Sequence, residues 1–170
     1  MKILYCDEHI IVCIKPSGAV SMDEPGGMPK LIRQAIGEDK VVRTVHRLDS
    51  IVSGLMVYAL SKEAASGLSM QMEDGSFGKE YMAVLEGRPK KSKGELRDYL
   101  DRNKRERKTY VTDKKNRYAQ EAILTYRTCA EIRDYTLVRI KLITGRTHQI
   151  RCQFSSRDLP LYGDKKYGSV

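Results

Sequence analysis

The sequence predicts an α+β fold, in which a largely antiparallel, mixed sheet is flanked by a few helices and loops. Many short apolar runs are typical of strands, whereas few stretches have the spacing of an amphipathic helix. These elements do not alternate as they do in a parallel α/β fold. A chain of 170 residues with 41% hydrophobic content can bury one core, so we expect a single domain over residues 1–170.

The N-terminal elements follow from two apolar runs and a loop. Residues 3–6 and 10–14 flank a polar turn, which predicts an opening hairpin. Residues 21–29 are rich in proline and glycine and predict a loop. A short helix is then expected over residues 31–36, because Gly37 is suited to end it.

The middle of the chain predicts two strands and a helix. Residues 41–45 form a strand candidate that delivers a polar tetrapeptide to a turn. Residues 54–60 are almost continuously apolar, which predicts a central strand buried on both faces. Ser61 can cap the helix that follows, and Asp74 with Gly75 is expected to end it.

The C-terminal half predicts further strands around a basic stretch. Residues 81–85 form one strand candidate. Residues 90–117 are dominated by lysine, arginine and asparagine, so they predict two short exposed strands joined by a basic loop, with no core. Two better strands are expected at residues 121–128 and 135–143, and a helix beginning at residues 144–145 follows them.

The charge balance favours a polyanionic partner. The chain has 31 Lys and Arg against 22 Asp and Glu, a formal net charge of +9, which attracts nucleic acid without proving it. We see no export signal and no run of about 18 apolar residues, so we expect a soluble, cytoplasmic protein without membrane contact. The four cysteines form no CxxC pair, so we expect reduced thiols and no metal site.

Three polar clusters interrupt the apolar patterns at the ends of predicted elements. They are HRLD at residues 46–49, KEY at residues 79–81 and GRTHQIR at residues 145–151. Such positions can hold a side chain rigidly while it faces a cleft. Taken singly, each cluster also has a structural explanation, because Asp49 could cap a turn, Tyr81 could fill a strand face, and Arg146 could bind carbonyls at a sheet edge.

Five segments, taken in order, resemble motifs of the RluA-type RNA pseudouridine synthases and cover nearly the whole chain. They are IIVCIKPSGAV at residues 10–20, HRLDSIVSGLMVYALSKEAA at 46–65, FGKEYMAVLEG at 77–87, ITGRTHQIR at 143–151 and LPLYGDKKYG at 159–168. One position departs from the usual form, because Val52 stands where threonine is customary before Ser53. A single tetrapeptide would mean little, whereas an ordered set of this length is a specific match.

The resemblance implies an isomerase that converts uridine to pseudouridine in RNA without a cofactor. It implies that Asp49 is the catalytic aspartate, Tyr81 the active-site tyrosine and Arg146 the arginine that pairs with the aspartate. A carboxylate can trap an electron-poor C1′ or take a proton from the sugar, and both alternatives stay open. A guanidinium keeps such a carboxylate ionised, while a tyrosine offers a flat face and a hydroxyl for proton transfer.

The resemblance also implies an RNA partner, a ribosomal or transfer RNA stem-loop from which the target uridine is flipped out. Arg47 is implied to fill the space that the flipped base leaves. The other residues that we expect to contact RNA are His46, His148, Arg102, Lys104, Arg105, Arg107 and Lys108. Phosphate contacts by such cations give salt-dependent affinity with little base specificity. A solvated loop without RNA contacts explains the basic stretch equally well.

The resemblance is incomplete at both ends of the chain. Many relatives carry an N-terminal S4-type RNA-binding module, which we do not expect here, and relatives usually continue beyond the YG pair at residues 167–168. We expect a monomer. Two other functions stay open: a catalytically inactive relative that binds RNA as a folding or assembly factor, and a basic scaffold protein unrelated to RNA modification.

Overall fold

The computed structural model describes residues 1–169, which fall into two compact units, residues 1–77 (unit 1) and residues 78–169 (unit 2). Unit 1 contains strands β1 (Lys2–Cys6), β2 (Ile10–Lys15), β3 (Arg43–Thr44) and β4 (Gly54–Ala59), with helices α1 (Met28–Ile36) and α2 (Lys62–Glu73). Unit 2 contains strands β5 (Lys79–Glu86), β6 (Lys93–Asn103), β7 (Lys108–Thr112), β8 (Gln120–Ile132) and β9 (Tyr135–Leu142), helix α3 (Gln149–Ser155) and a 3₁₀ turn (Lys165–Tyr167).

The sheet of unit 1 has the strand order β1-β2-β4-β3, and all its pairings are antiparallel. The predicted opening hairpin is confirmed, since β1 pairs with β2. The core lies where Ile11, Met56 and Tyr58 of the sheet pack with Met28 and Ile32 of α1. Every one of these side chains is at most 1% exposed.

Two boundaries in unit 1 differ from the prediction. Helix α1 begins at Met28 rather than at residue 31, and it includes Pro29 in its first turn, where proline costs no hydrogen bond. The strand predicted over residues 41–45 is reduced to Arg43–Thr44, which pairs with the end of β4. The first difference involves a proline in the first turn of a helix, and the second involves a strand that pairs over only two residues at the edge of the sheet.

Strand β4 is internal in its sheet, but the prediction that both of its faces are buried is wrong. Met56 and Tyr58 are buried, whereas Leu55 on the other face is 62% exposed. An antiparallel sheet can leave one face uncovered, which a nearly continuous apolar run does not reveal. The predicted cap of α2 is confirmed, because the Ser61 hydroxyl accepts a hydrogen bond from the Ala64 N–H at 3.0 Å.

The sheet of unit 2 has the order β5-β9-β8-β6-β7, again with antiparallel pairings. The turn predicted between β8 and β9 is confirmed, and Arg133 in it has a φ of 53°. Leu124, Val138 and Ile140 of the sheet pack against Phe154 of α3. Two antiparallel sheets with three α-helices confirm the predicted α+β class.

The basic stretch takes part in the core of unit 2, so the prediction of two short, exposed strands without a core is wrong. Strand β6 is 11 residues long and pairs with both β8 and β7. Leu96 and Leu100 on β6 are 7% and 2% exposed, and Thr109 on β7 is 3% exposed. Charged residues alternate with these buried positions along β6, and their number conceals the pattern of a half-buried strand.

Helix α3 begins later than predicted. It runs over Gln149–Ser155, while residues 144–148 form a turn before it. His148, at the last position of that turn, has a φ of 53°. Polar residues that the sequence analysis assigned to a helix therefore lie on an irregular segment, where side chains can be presented in more directions.

Three further observations concern the described residues. No helix within residues 1–169 combines the length and the apolar character needed to cross a membrane. Over the same range, no three His, Cys, Asp or Glu side chains group as metal ligands. All four cysteines are free, with Cys6 and Cys129 exposed and Cys13 and Cys152 buried. Burial raises the pKa of the thiols of Cys13 and Cys152 to about 11.

Candidate functional site

The HRLD cluster lies in the loop between β3 and β4 of unit 1. His46 is anchored to β4, because its Nε2 accepts a hydrogen bond from the Val57 N–H at 3.1 Å and its ring lies 5.4 Å from that of Phe77. Arg47 is exposed and Asp49 is partly buried. The loop therefore presents an exposed cation two residues before a half-buried acid.

The backbone of this loop is fixed by a buried hydroxyl. Ser21, which is 2% exposed, donates to the Leu48 carbonyl at 2.9 Å and accepts from the Leu48 N–H at 3.0 Å. Both polar backbone groups of the residue between Arg47 and Asp49 are thus satisfied by one side chain. The Asp49 carbonyl also accepts from the Val52 N–H at 3.0 Å, which closes a turn after the acid.

A buried ammonium lies beneath the same loop. Lys15 at the end of β2 has no exposed surface, and its Nζ donates to the carbonyls of Pro16 at 3.0 Å, Ala19 at 2.7 Å and Ser50 at 3.0 Å. Burial lowers the pKa of Lys15, and the negative charge of Asp49 raises it. An ammonium has three donors, so all its protons are used by backbone carbonyls, which tie the residue after Asp49 to the segment that follows β2.

Neither Lys15 nor Ser21 was singled out by the sequence analysis. A usable signal exists for Lys15, because it follows Ile11 and Cys13 at the spacing of the buried face of β2. A lysine at such a position requires partners for its charge. Ser21 carries no such signal, since it lies in a loop and its partner is 27 residues away.

Tyr81 lies on β5 of unit 2, opposite Ile140 of β9. It is partly buried and packs against a core cluster that includes Leu85 and Phe154. The structural explanation, a tyrosine that fills a strand face, therefore applies to it. Its catalytic role stays a prediction.

Arg146 lies in the turn before α3, and that turn is built around the buried amide of Gln149. The Arg146 N–H and the Thr144 hydroxyl both donate to Oε1 of Gln149, at 2.9 and 2.8 Å, and Nε2 of Gln149 donates to the Ile123 carbonyl at 3.0 Å. The Arg146 guanidinium donates through Nε to the Glu121 carbonyl at 2.9 Å. A carbonyl is neutral, so this contact orients the guanidinium without neutralising its charge.

A hollow of about 680 Å³ in unit 2 brings Arg146 together with part of the basic stretch. Arg102 and Lys104 line it from the end of β6 and the loop after it, and Tyr118 lines it from the turn before β8. Asp101 is the only acidic residue among its lining residues. The hollow is therefore positively charged and large enough for a small ligand.

The remaining cations predicted to bind RNA lie outside the lining of this hollow. Arg105 and Arg107 are exposed in the loop that joins β6 to β7. The ammonium of Lys108 lies 5.4 Å from the ring centre of Tyr110 and 5.1 Å from that of Tyr167. Lys108 is thus held over two aromatic rings, whereas the loop arginines extend into solvent.

His148 is part of a link between the Arg146 turn and β7. Its Nδ1 lies 2.9 Å from the Tyr167 hydroxyl, which accepts a hydrogen bond from the Thr109 N–H at 2.8 Å. Thr109 also donates through its hydroxyl to the Thr147 carbonyl at 3.0 Å. Burial raises the pKa of Tyr167, so its hydroxyl stays protonated at neutral pH. These contacts favour a structural role for His148, and its predicted RNA contact stays untested.

Two motif segments meet in a buried ion pair of unit 2. Nε and Nη2 of Arg151 donate to the two carboxylate oxygens of Asp164 at 2.6 and 2.8 Å. Arg151 is 8% exposed and Asp164 is 7% exposed. The pair fixes the C-terminal segment to α3, which accounts for an arginine and an aspartate that the sequence analysis left without a role.

The predicted site residues are thus distributed over both units. Unit 1 holds His46, Arg47 and Asp49 on one loop, and unit 2 places Arg102, Lys104 and Arg146 around one hollow. The predicted meeting of Asp49 with Tyr81 and Arg146 spans the two units and stays a prediction.

Comparison with protein families and curated relatives gives a consistent answer. The family model described as RNA pseudouridylate synthase matches residues 9–156. Ribosomal large subunit pseudouridine synthase D of Borreliella burgdorferi is 30% identical over 100% of this chain and 55% of its own length. Dual-specificity RNA pseudouridine synthase RluA of Haemophilus influenzae is 32% identical over 98% of this chain and 77% of its own length. The chain spans about half the length of several curated relatives it matches.

Solved structures show the same fold. Human RNA Pseudouridylate Synthase Domain Containing 4 superposes with a TM-score of 0.82 at 27% identity, over 98% of this chain and 68% of that one. Human RNA Pseudouridylate Synthase Domain Containing 1 has a TM-score of 0.82 at 24% identity, over 99% of this chain and 70% of that one. At that identity the second likeness speaks to the fold alone.

Proposed function

Because this chain belongs to the RNA pseudouridylate synthase family, in its RluA-type branch, we propose that it isomerises uridine to pseudouridine in RNA. The observation that carries the proposal is the held loop of unit 1. Asp49 lies there, with the residue before it held by Ser21, the residue after it held by Lys15, and Arg47 exposed two residues before it. A rigidly positioned acid beside an exposed cation suits a reaction on a flipped nucleotide.

The reaction exchanges one bond to the ribose for another. The N1–C1′ bond breaks, the uracil turns, C5 bonds to C1′, the proton leaves C5 and N1 gains a proton. Asp49 either attacks C1′ or takes a proton from the sugar. We assign to Tyr81 the stacking of the loosened base and proton transfer at C5, and to Arg146 the ionised state of the acid. The isomerisation is balanced without a redox cofactor.

The proposed substrate is a stem-loop of ribosomal or transfer RNA. The Borreliella burgdorferi relative is named for the large ribosomal subunit, which makes large-subunit ribosomal RNA the first substrate to test. Arg47 would fill the gap that the flipped uridine leaves, and the cations of the basic stretch would bind phosphates. We further propose that the chain acts as a monomer in the cytoplasm.

Release of tritium from [5-³H]uridine-labelled RNA tests the reaction directly. The wild-type chain should release tritium, and Asp49→Asn should lower the rate by at least about 100-fold, because the amide can neither attack nor take a proton. Asp39→Asn, which changes an exposed acid of the same unit, is the matched control and should retain the wild-type rate.

Two outcomes would contradict the proposal. Equal release by wild type and Asp49→Asn would remove the acid from the mechanism. RNA binding by the wild type without release would favour the alternative of an inactive relative that acts as an RNA folding or assembly factor. The positively charged hollow of unit 2 gives that alternative its physical basis, since phosphate binding requires no acid.

A further inference from the structure

We propose that Tyr118 is a stacking platform for an unpaired RNA base, in a subsite next to the cations Arg102, Lys104 and Arg146. The proposal rests on the proposed function for the nature of the ligand, and it adds a residue that none of the motifs contains. Tyr118 is 60% exposed, so it contributes little to the core. An exposed aromatic ring within a positively charged hollow is a combination suited to single-stranded nucleic acid.

The ring is exposed, yet the turn that carries it is tied down. The Tyr118 N–H donates to Oδ1 of Asn116 at 2.9 Å. Nδ2 of the same asparagine donates to Oδ2 of Asp101 at 3.0 Å and to the Thr112 hydroxyl at 3.1 Å. One side chain therefore connects the turn to both β6 and β7. A ring on a fixed backbone loses less conformational entropy when a base stacks on it.

The Tyr118 ring also carries a cation on one face. The guanidinium of Arg117 lies over it, 4.5 Å from the ring centre, and contacts its hydroxyl. The ring quadrupole attracts a cation placed over its face. Arg117 therefore adds positive charge directly beside the stacking surface. The phosphates on either side of a stacked base would then find Arg102, Lys104 and Arg146 around the same hollow.

The other exposed tyrosine of this region is not equivalent. Tyr110 is 41% exposed, but its hydroxyl is bound by the Glu106 carboxylate and its ring lies beneath Lys108. The Glu106 carboxylate at its hydroxyl repels phosphate, whereas the hydroxyl of Tyr118 is contacted by a cation. Tyr110 is therefore the matched control, since it is a tyrosine of the same segment for which we expect no stacking.

The test measures binding of the full chain to two fluorescein-labelled ten-nucleotide probes by anisotropy. One probe is oligoadenylate, which contains no uridine to be turned over, and the other is an abasic ribose-phosphate strand of equal length. Tyr118→Ala should weaken binding of oligoadenylate by about 5- to 150-fold, the range measured for loss of one base stack. The oligoadenylate affinities of Tyr118→Phe and Tyr110→Ala should stay within about twofold of wild type, because each variant retains an aromatic ring at position 118.

The abasic probe and the salt dependence separate stacking from charge. The abasic strand should bind wild type and Tyr118→Ala equally. Tyr118→Ala should leave the slope of log K against log [KCl] unchanged, whereas Arg102→Gln should reduce it by about 0.7, the value for one single-strand phosphate. An equal loss on both probes, a changed slope for Tyr118→Ala, or a Tyr118→Phe as weak as Tyr118→Ala would each overturn the stacking role.

The tritium assay keeps this proposal distinct from the proposed function. Release by the wild type, together with normal oligoadenylate binding by Tyr118→Ala, would refute the platform and leave the synthase intact. Ring-dependent binding without any release would support the platform and refute the synthase. Circular dichroism of each variant controls for folding, and Tyr118→Leu provides a second variant without an aromatic ring.

Discussion

The Asp49 loop of unit 1 and the basic segment of unit 2, residues 101–118, are held in place in opposite ways. The loop is fixed by buried polar atoms, three donors from Lys15 and a hydroxyl from Ser21. The basic segment is held by strand pairing and has eight Lys and Arg against three Asp and Glu, most of them exposed. Chemistry requires atoms in defined places, whereas phosphate binding requires mainly charge.

This difference determines how each region should respond to substitution. Removing a buried donor leaves carbonyls without partners, at about 1–3 kcal/mol for each unsatisfied group. Removing an exposed cation changes stability by about 0.5 kcal/mol or less. Substitutions should therefore affect stability and activity near Asp49, and mainly RNA affinity in the basic segment.

The largest expected difference lies in thiol reactivity, which probes the interior below each region. Cys13 precedes Lys15 on β2, and Cys152 packs with Leu100 below the basic segment. Because burial raises the pKa of both thiols to about 11, they should react with Ellman's reagent at pH 8 at least about 100-fold more slowly than Cys6 and Cys129.

Single-cysteine variants assign each rate to its residue, and the fully unfolded chain should show four fast thiols. A slower rate for Cys13 than for Cys152 would support the view that the Asp49 loop covers the more rigid interior. Fast reaction of either buried thiol in the native protein would contradict its burial.

The Lys15 substitution should have the next largest effect. Lys15→Met retains the chain length but removes all three donors to backbone carbonyls, so we expect the free energy of unfolding to fall by about 3 kcal/mol. Urea denaturation measures this loss. Lys30→Met, an exposed position on α1, is the control and should change stability by less than about 0.5 kcal/mol.

The same variant tests whether the buried ammonium serves the acid as well as the fold. At a temperature where Lys15→Met is fully folded, its rate of tritium release should still be below wild type, because the Ser50 carbonyl beside Asp49 has lost its donor. A folded Lys15→Met with the wild-type rate would show that the ammonium contributes to stability alone.

Charge removal in the basic segment should change affinity without changing stability. We expect Lys104→Gln combined with Arg105→Gln to lower the slope of log K against log [KCl] for single-stranded RNA by about 1.4. This value corresponds to the counterions released when two phosphates are bound. Its urea midpoint should match wild type, since both side chains are exposed. A shifted urea midpoint together with an unchanged slope of log K against log [KCl] would show that these side chains contribute to stability and not to RNA binding.

The smallest effect is expected at Arg107, where backbone geometry and charge can be separated. Arg107 has a φ of 50°, a conformation that costs a non-glycine residue about 1–2 kcal/mol. Arg107→Gly should therefore raise the free energy of unfolding by about 0.5 kcal/mol while weakening RNA binding. Arg105→Gly removes a charge from the same loop without a positive φ to relieve, so it should lower stability instead.

Local patterns were sufficient for much of the fold. Alternating and apolar runs predicted the opening hairpin and the β8–β9 pair, and the cap at Ser61 was predicted from its residue type. They were insufficient where tertiary contacts decide burial. The charged residues along β6 concealed Leu96 and Leu100, whereas the apolar run of β4 concealed one uncovered face.

The candidate site shows the same limit. The HRLD and GRTHQIR clusters were predictable because polar residues end apolar elements there. The groups that hold them were not, since Ser21 and Gln149 act on backbone atoms 27 and 26 residues away. Sequence spacing carries no record of which carbonyl a buried side chain will reach.

Thr109 connects the basic segment to the turn that carries Arg146. It is paired in β7 and is joined through its hydroxyl to Thr147, the residue after Arg146. An RNA bound along β7 would therefore contact a strand that is hydrogen-bonded to the turn of Arg146. The part of the chain proposed to bind phosphates and the arginine proposed to act in the reaction therefore share one hydrogen-bonded contact, so that a change at Thr109 would affect both.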